Sequence, residues 1–290
     1  MTREITLLTN PTAGKGRAAR VRDTALGLLH GAGWHVRTIE GRDAVEAEDL
    51  ARKALADGTE ALVVCGGDGL VHLAAQVLAG GSTPLGILPA GTGNDAARSV
   101  GIPRKDTAAA VARLIAWQPR RIDLARSGDR HFVTVLAAGF DAVVNERANK
   151  MSWPRGQMRY NLATVAELRT FAPLPYELDL DGEQVQLKAM LVAVGNGPSF
   201  GGGLRIAEGA ALDDGLLDVV VIGPVTKPEL VRTYPKLFTG THVDHPQFSR
   251  HRVRKVTVAC PGIVGYADGE RYGALPLTVE CVPGALEVLS

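Results

Sequence analysis

The stretch Glu60 to Gly80, EALVVCGGDGLVHLAAQVLAG, constrains the fold more than any other part of the chain. Leu62, Val63, Val64 and Cys65 form a short apolar run bounded by glycines, which predicts a buried strand. Gly66, Gly67 and Gly69 bracket one acid, Asp68, and Val71, Ala74, Ala75, Val77 and Leu78 follow at helical spacing up to Gly80-Gly81. Strand, glycine turn and helix together aim backbone N–H groups and a helix N-terminus at a phosphate. A carboxylate among those donors would repel phosphate unless a cation lay between them. Asp68 therefore reads as an acid working through Mg²⁺, or on a proton, beside a nucleotide. Read alone, the same residues equally describe a tight turn capped by Asp68.

Further glycine loops flank this one. Ile5, Leu7 and Leu8 predict a strand ending at Asn10-Pro11, and Thr12-Ala13-Gly14-Lys15-Gly16 leads into a helix carrying Ala18, Val21, Ala25, Leu28 and Leu29. This loop lacks the first glycine and the Ser/Thr of a Walker loop. With Lys15 and Arg17 it suits a phosphate, or simply solvent. Trp34 to Glu40 predicts a strand, Asp43 to Ala56 a helix, and Leu85 to Leu88 a further strand. Pro89-Ala90-Gly91-Thr92-Gly93-Asn94-Asp95-Ala96 then opens another helix. Gly91, Gly93 and Ala96 satisfy GxGxxA, but a dinucleotide site needs that pattern after the first strand, answered by an acid at a later strand end. Here the helix Thr107 to Trp117 intervenes and Asp123 arrives late, so NAD is a weak reading. Alternating strands and helices predict a parallel α/β sheet with flanking helices over residues 1–121. The glycine loops converge on one edge of it, where open sheets bind ligands.

From about Arg121 strand-like runs dominate: His131 to Ala138, Glu177 to Leu180, Val185 to Val194, Leu216 to Ile222, Val253 to Ala259 and Leu277 to Val282. Asp181-Gly182 is a hairpin turn between two alternating runs. Helices are expected near Arg155 to Phe171 and Lys227 to Phe238. The prediction is an antiparallel β-sandwich-like domain over 122–290, whose last residues are free to return to the first domain. A net charge of +1 speaks against nucleic acid as a partner. Cys65, Cys260 and Cys281 lie in apolar runs without CxxC spacing, which predicts reduced thiols, with Cys65 in the core of its strand. His242 and His245 have HxxH spacing but no evident third ligand, and read as a surface loop. No run has membrane-spanning length, and the expectation is a soluble, cytosolic protein.

The motifs NPTAGKG, GGDGLVHLAAQ, LPAGTGNDAAR, AAGFDAVV, GNGPSFGGGLRIAEGAALDDGLLDVVV and YADGE occur in this order over nearly the whole chain. In them the chain resembles the bacterial diacylglycerol kinases, soluble relatives of the sphingosine and ceramide kinases and, more distantly, of NAD kinases. The resemblance implies ATP and Mg²⁺ as cofactors, with ATP in the cleft between a nucleotide domain and a β-sandwich domain. Its nucleotide positions fall on Asn10, Pro11, Gly14, Thr38, Gly66, Gly67, Asp68, Gly69, Thr92, Gly93, Asn94 and Asp95. Its acids near Mg²⁺ fall on Asp68, Asp95 and Asp123, and a structural Mg²⁺ on Asp214 with the carbonyls of Ala211 and Leu216. The implied base is Glu270, assisted by Asp268, with Asp68 the competing candidate.

Leu70 and His72 depart from the Thr and Asn of many bacterial members, and the Leu is shared with sphingosine and ceramide kinases. The implied reaction is phosphorylation of 1,2-diacylglycerol to phosphatidate, with a sphingoid base or ceramide as alternative acceptor. The rival from another class is an inactive lipid- or nucleotide-binding module. Asp68, Asp95, Asp268 and Glu270 together argue against it, since a dead enzyme need keep none of them. The expected setting is the cytoplasmic face of an anionic membrane, met peripherally, with a homodimer allowed for. There NERANKMSWPRGQMRY would place Arg147, Lys150, Arg155 and Arg159 among Met151, Trp153, Met158 and Tyr160. The same apolar residues could equally pack into a core.

Overall fold

The computed structural model describes residues 2–10, 16–139, 143–144, 147, 151, 153 and 172–290. β1 (Glu4–Thr9), β2 (His35–Glu40), β3 (Leu62–Gly66) and β4 (Leu85–Pro89) run parallel in the order β2-β1-β3-β4. Every residue of β3 and β4 is buried, as strands sandwiched between helices must be. The covering helices include α1 (Arg17–Gly31), α2 (Ala44–Ala56), α3 (Asp68–Leu78), α4 (Asp95–Ser99) and α5 (Thr107–Ala116). α1 buries Ala18, Val21, Ala25 and Leu29, one stripe of a 3.6-residue period. α2 and α5 begin where Asp43 and Asp106 accept the N–H of Glu46 and Ala109, each at 2.9 Å.

The second body is two sheets face to face. β7 (Val135–Gly139), β10 (Leu191–Gly195), β11 (Leu217–Ile222), β12 (Phe248–Val253), β14 (Val264–Ala267) and β15 (Glu270–Ala274) form an all-antiparallel sheet in the order β12-β11-β10-β7-β14-β15. β8 (Leu174–Leu180), β9 (Glu183–Ala189) and β13 (Lys255–Ala259) lie opposite it. Leu136, Val192 and Val219 from one sheet meet Leu178, Val256 and Val279 from the other in a shared apolar core. β16 (Leu277–Leu289) belongs to both bodies. It pairs antiparallel with β13 near its start and with β5 (Pro119–Ser127) along its length, and Val288 pairs parallel with Leu85 of β4. One mixed sheet therefore runs from the helix-covered strands into the sandwich.

Three runs read as continuous in the sequence are broken in the fold. Val185 to Val194 changes sheets at Met190, passing from β9 to β10. His131 to Ala138 is split into β6 (Arg130–Phe132) and β7, with the break at Val133-Thr134. Lys227 to Phe238 forms α6 (Lys227–Thr233) and α7 (Lys236–Thr239), parted at Tyr234-Pro235 because proline has no N–H to continue the ladder. The helix expected at Arg155 to Phe171 lies outside the described residues, as do Lys150, Met158, Arg159 and Tyr160. Trp153 is described and 76% exposed. No helix among the described residues is long and apolar enough to cross a membrane.

Candidate active site

From β1 the chain passes to β2 on one side and then to β3 on the other, so the crevice of the sheet opens beyond the C-terminal ends of β1 and β3. A cavity of about 500 Å³ lies there, lined by Thr9, Asn10, Glu40, Gly67, Gly69 and, from the other body, Glu270. Thr9 Oγ1 is buried at its edge with no hydrogen-bond partner among the described residues. Pro11 and Gly14 lie outside the described residues. Thr38 is exposed on the edge strand β2, paired with Leu7, while Glu40 reaches the cavity lining.

The loops after β3 and β4 are locked together by backbone contact. The N–H groups of Ala90 and Gly91 donate to the Gly66 carbonyl at 2.8 and 3.1 Å. A Cβ on Gly91 would stand 2.5 Å from the Gly67 Cα, so no side chain fits. Asn94, at φ 54°, closes its own loop: Oδ1 accepts from the Gly91 N–H at 3.0 Å and Nδ2 donates to the Gly91 carbonyl at 2.9 Å. Gly66 and Asn94 thus shape the loops, while Thr92 is exposed on one of them. A Cβ on Gly93 would come within 2.8 Å of Asp68 Oδ2, which explains a glycine there.

The acids sort by what holds them. Asp68, in the first turn of α3, accepts from the Ala96 N–H at 3.0 Å. Burial pushes its pKa up to about 6, and the charges of Asp95 and Asp268 add to this against the help of backbone N–H groups. Asp95 is buried and fully engaged by Arg98, by Ser199 Oγ at 3.1 Å and by the Gly202 N–H at 2.6 Å. It ties the first body to the second. Asp123 accepts from the Gly215 and Gly284 N–H groups at 2.7 Å each, which places it with the turn at Asp214. Asp214 accepts from the Leu216 N–H at 3.0 Å and pairs with Arg252.

These partners differ in how they neutralise each acid. At 211–216 the guanidinium of Arg252 pairs with Asp214, the one side-chain ligand the resemblance implies there. Asp95 and Asp123 accept at least one hydrogen bond or ion-pair contact on each oxygen. Asp68 is held by backbone groups alone and crowded by other acids, the situation a divalent cation relieves. Among the described residues no group of three or more His, Cys, Asp or Glu side chains is arranged to hold a metal.

The turn Asp268-Gly269-Glu270 joins β14 to β15. Asp268 is buried, and its oxygens accept from the N–H groups of Val133 and Thr134 at 2.9 Å each and from Thr134 Oγ1 at 2.6 Å. Its Oδ2 also lies 3.1 Å from His72 Nδ1. Burial drives its pKa up, but His72, Thr134 and Val133 outweigh that and hold it below the usual carboxylate range. The break between β6 and β7 is therefore where Asp268 draws two backbone N–H groups out of the ladder. Glu270, two residues on, is exposed, and its Oε1 would be 3.7 Å from a Cβ on Gly69. The buried acid fixes the turn and the exposed acid overhangs the glycine loop.

Thr134 lies outside the motifs and holds Asp268; Ser199 and Gly202 lie inside GNGPSFGGG, but nothing in that motif announces that they hold Asp95 on a distant helix. His242 is a correction: it is buried, with Nε2 3.1 Å from the Ile206 carbonyl, not in a surface loop. His245 pairs with Glu229 at 3.0 Å. His242 lines a second, smaller cavity of about 90 Å³, apolar and walled by Met190, Ile222, Leu230, Leu237 and Phe248. His242 Nδ1 has no hydrogen-bond partner there among the described residues. The Cys65 thiol, buried in its strand, is pushed up to about 12 by burial and is inert.

The diacylglycerol kinase catalytic domain family matches residues 4–127, and the YegS C-terminal NAD kinase beta sandwich-like domain matches residues 134–290. A diacylglycerol kinase of Mycobacterium tuberculosis (strain ATCC 25618 / H37Rv) is 45% identical, covering 99% of this chain and 94% of that one. A diacylglycerol kinase of Bacillus subtilis (strain 168) is 27% identical over 93% of this chain and 90% of its own length. The crystal structure of a diacylglycerol kinase from Bacillus anthracis str. Sterne superimposes with a TM-score of 0.74 at 19% identity, covering 99% of this chain and 96% of that one.

Proposed function

The chain belongs to the diacylglycerol kinase-like lipid kinases, and from that premise we propose that it transfers the γ-phosphoryl group of ATP to the free hydroxyl of 1,2-diacylglycerol, giving phosphatidate and ADP. The observation that carries this reading is Glu270, an exposed carboxylate from the sandwich hung over Gly69 at the mouth of the glycine-lined cavity. Phosphoryl transfer asks for a positioned polyphosphate, neutralised charge and an acceptor for the hydroxyl proton. The interlocked loops after β3 and β4 and the N-terminus of α3 would position the phosphates. Asp68 is the residue that would hold Mg²⁺, which neutralises the phosphate charge when bound. Glu270 would take the proton as the hydroxyl oxygen bonds to the γ-phosphorus and the bond to the ADP oxygen breaks. Asp268 does not touch the reactants: it fixes the turn that presents Glu270.

Support for a lipid acceptor comes from the second cavity, whose walls are apolar and which lies under α6 and α7. At about 90 Å³ it admits part of an acyl chain as it stands. The substrate is a membrane lipid, so the proposed setting is the cytoplasmic face of an anionic membrane, met peripherally. Labelled ATP offered with Mg²⁺ to a panel of lipids in mixed micelles tests the reading. Label in phosphatidate is expected; label in sphingosine phosphate or ceramide phosphate, with none in phosphatidate, overturns the substrate.

A further inference from the structure

α6 and α7 are apolar on two sides, which a helix resting on a protein surface has no need to be. Their inner side supplies Leu230 and Leu237 to the wall of the apolar cavity. Their outer side exposes Val231 (57%) and Phe238 (49%) to solvent, and Tyr234, which also lines the cavity, is 42% exposed between them. The other large exposed apolar side chains among the described residues, Leu28, Val45, Ile115 and Trp153, stand singly on separate segments. Isolated exposed residues of this kind need no explanation, but three within eight positions form a patch.

Charge accompanies the patch. Arg232 and Lys236 are exposed beside it, and neither is in an ion pair among the described residues. The only acid between Thr226 and Thr239 is Glu229. Its carboxylate is occupied by the Thr226 N–H at 3.2 Å in a capping box and by His245 at 3.0 Å. The outward surface thus joins apolar and aromatic side chains to unpaired cations, the composition that suits an anionic lipid interface.

We propose that the outer face of α6 and α7 docks on an anionic lipid surface, seating Val231, Tyr234 and Phe238 among the head groups and Arg232 and Lys236 on lipid phosphates. The proposal rests on the lipid-kinase reading for its biological sense, since the substrate resides in that surface. Docking there sets the helices between the bilayer and the apolar cavity. The thin cover over that cavity, two short helices parted at Tyr234-Pro235, is then the part of the chain an acyl chain must displace to enter.

The test uses the full chain and sucrose-loaded vesicles of phosphatidylcholine with about 30% phosphatidylglycerol, without diacylglycerol or ATP. Wild-type protein should sediment with them, more as phosphatidylglycerol rises and less as salt rises. Val231→Ser with Phe238→Ser should lower the partition coefficient at least about ten-fold. Arg232→Gln with Lys236→Gln should remove the dependence on phosphatidylglycerol while sparing the melting temperature. Unchanged binding by the first pair overturns the proposal, as does wild-type binding indifferent to anionic lipid. Light scattering covers the other occupant: a wild-type dimer made monomeric by Val231→Ser with Phe238→Ser makes this a dimer interface and also overturns the proposal. Label transfer to monomeric dioctanoylglycerol, without vesicles, separates the two readings. Vesicle binding without any such transfer sinks the kinase reading and leaves the docking surface standing. Transfer retained by both variant pairs, with binding lost, supports both.

Discussion

Asp-Gly-Glu occurs twice in the chain, and the two copies have the same backbone and different fates. Asp181-Gly182 joins β8 to β9 and Asp268-Gly269 joins β14 to β15. Both have positive φ at both positions, 52° and 99° in the first and 52° and 88° in the second, the tight turn this dipeptide favours. Asp181 is exposed and accepts from the N–H groups of Arg254 and Lys255, pinning a hairpin to its neighbour strand. Asp268 is buried between bodies, receiving Val133, Thr134 and His72. Glu183 follows into solvent, and Glu270 follows onto the cavity rim. The dipeptide dictates the turn; the strands that the turn is placed against decide whether it becomes chemistry.

The sharpest way to break this contrast is to make each glutamate an amide. A general base typically contributes about a hundred- to ten-thousand-fold. Glu270→Gln should therefore lower kcat at least about a hundred-fold, and Glu183→Gln should leave it within about two-fold. Both should melt with the wild type, because neither side chain is buried. Small, equal losses in labelled phosphate transfer would reduce the second turn to the status of the first.

The aspartates should part on stability. Each Asp268 oxygen accepts a backbone N–H, so an amide nitrogen at either position would face a donor. Asp268→Asn should cost about 1.5 to 3 kcal/mol, the range for hydrogen bonds to a charged group. Asp181→Asn keeps an acceptor oxygen for its exposed partners and should cost less than about 1 kcal/mol. Asp268 has a lowered folded pKa, so its contribution is present above the ordinary carboxylate range and is lost as pH falls through the lowered value. Chemical denaturation at pH 7 and below pH 4 should show the Asp268→Asn deficit shrinking in acid. A deficit that does not change with pH would mean that packing, not charge, holds this turn.

How much of this was legible follows from range. The alternating α/β pattern, the glycine loops after β3 and β4 and the turn at Asp181-Gly182 are local, and each appears in the fold where its residues predict it. The change of sheets at Met190 left no mark, because alternation continues through it. The return of the last residues to the first body was allowed for, but not that one strand, β16, would run unbroken from the sandwich to β4. Glu270 and Asp268 were visible through resemblance, but the division between them was not. It depends on Thr134, which lies in none of the motifs, and on His72, whose place in GGDGLVHLAAQ does not reveal that it meets Asp268, 196 positions on. The partners of the other acids differ in the same way: Arg98 stands three residues after Asp95 on the same short helix, whereas Arg252, which pairs with Asp214, is 38 positions away and carries no mark of that pairing.

The second turn also reaches Asp68. The charge of Asp268 adds to burial and to Asp95 in raising Asp68 to about 6, against roughly 4 for an unfolded aspartate. A raised folded pKa means that the ionised group opposes folding above that value, by about 3 kcal/mol at full ionisation, and not below the unfolded value. Asp68→Asn should therefore nearly abolish turnover and yet raise the melting temperature at pH 8, with the gain gone at pH 4. Excess Mg²⁺ should raise the melting temperature of the wild type alone. A variant that melts lower at pH 8 would show that Asp68 is already compensated and is not waiting for a cation.

The smallest effect belongs to His72, which has no counterpart at the first turn. It lies on α3, directly after the glycine loop, and its ring meets Asp268 from the other body. That contact, together with the edge-on packing of the His72 ring on Tyr272 of β15, links the helix below the phosphates to the turn that carries Glu270. Leucine at this position leaves one oxygen of Asp268 short of a donor and should cost about 1 to 3 kcal/mol. Asparagine can still donate, so His72→Asn should cost about 1 kcal/mol or less. If the contact aligns Glu270 as well as stabilising the fold, His72→Leu should lower kcat with KM for ATP unchanged, and His72→Asn should restore most of it. Loss of stability in His72→Leu with full kcat in the folded protein would leave the pair a structural seam, and the difference between the two turns would then rest on Val133 and Thr134 alone.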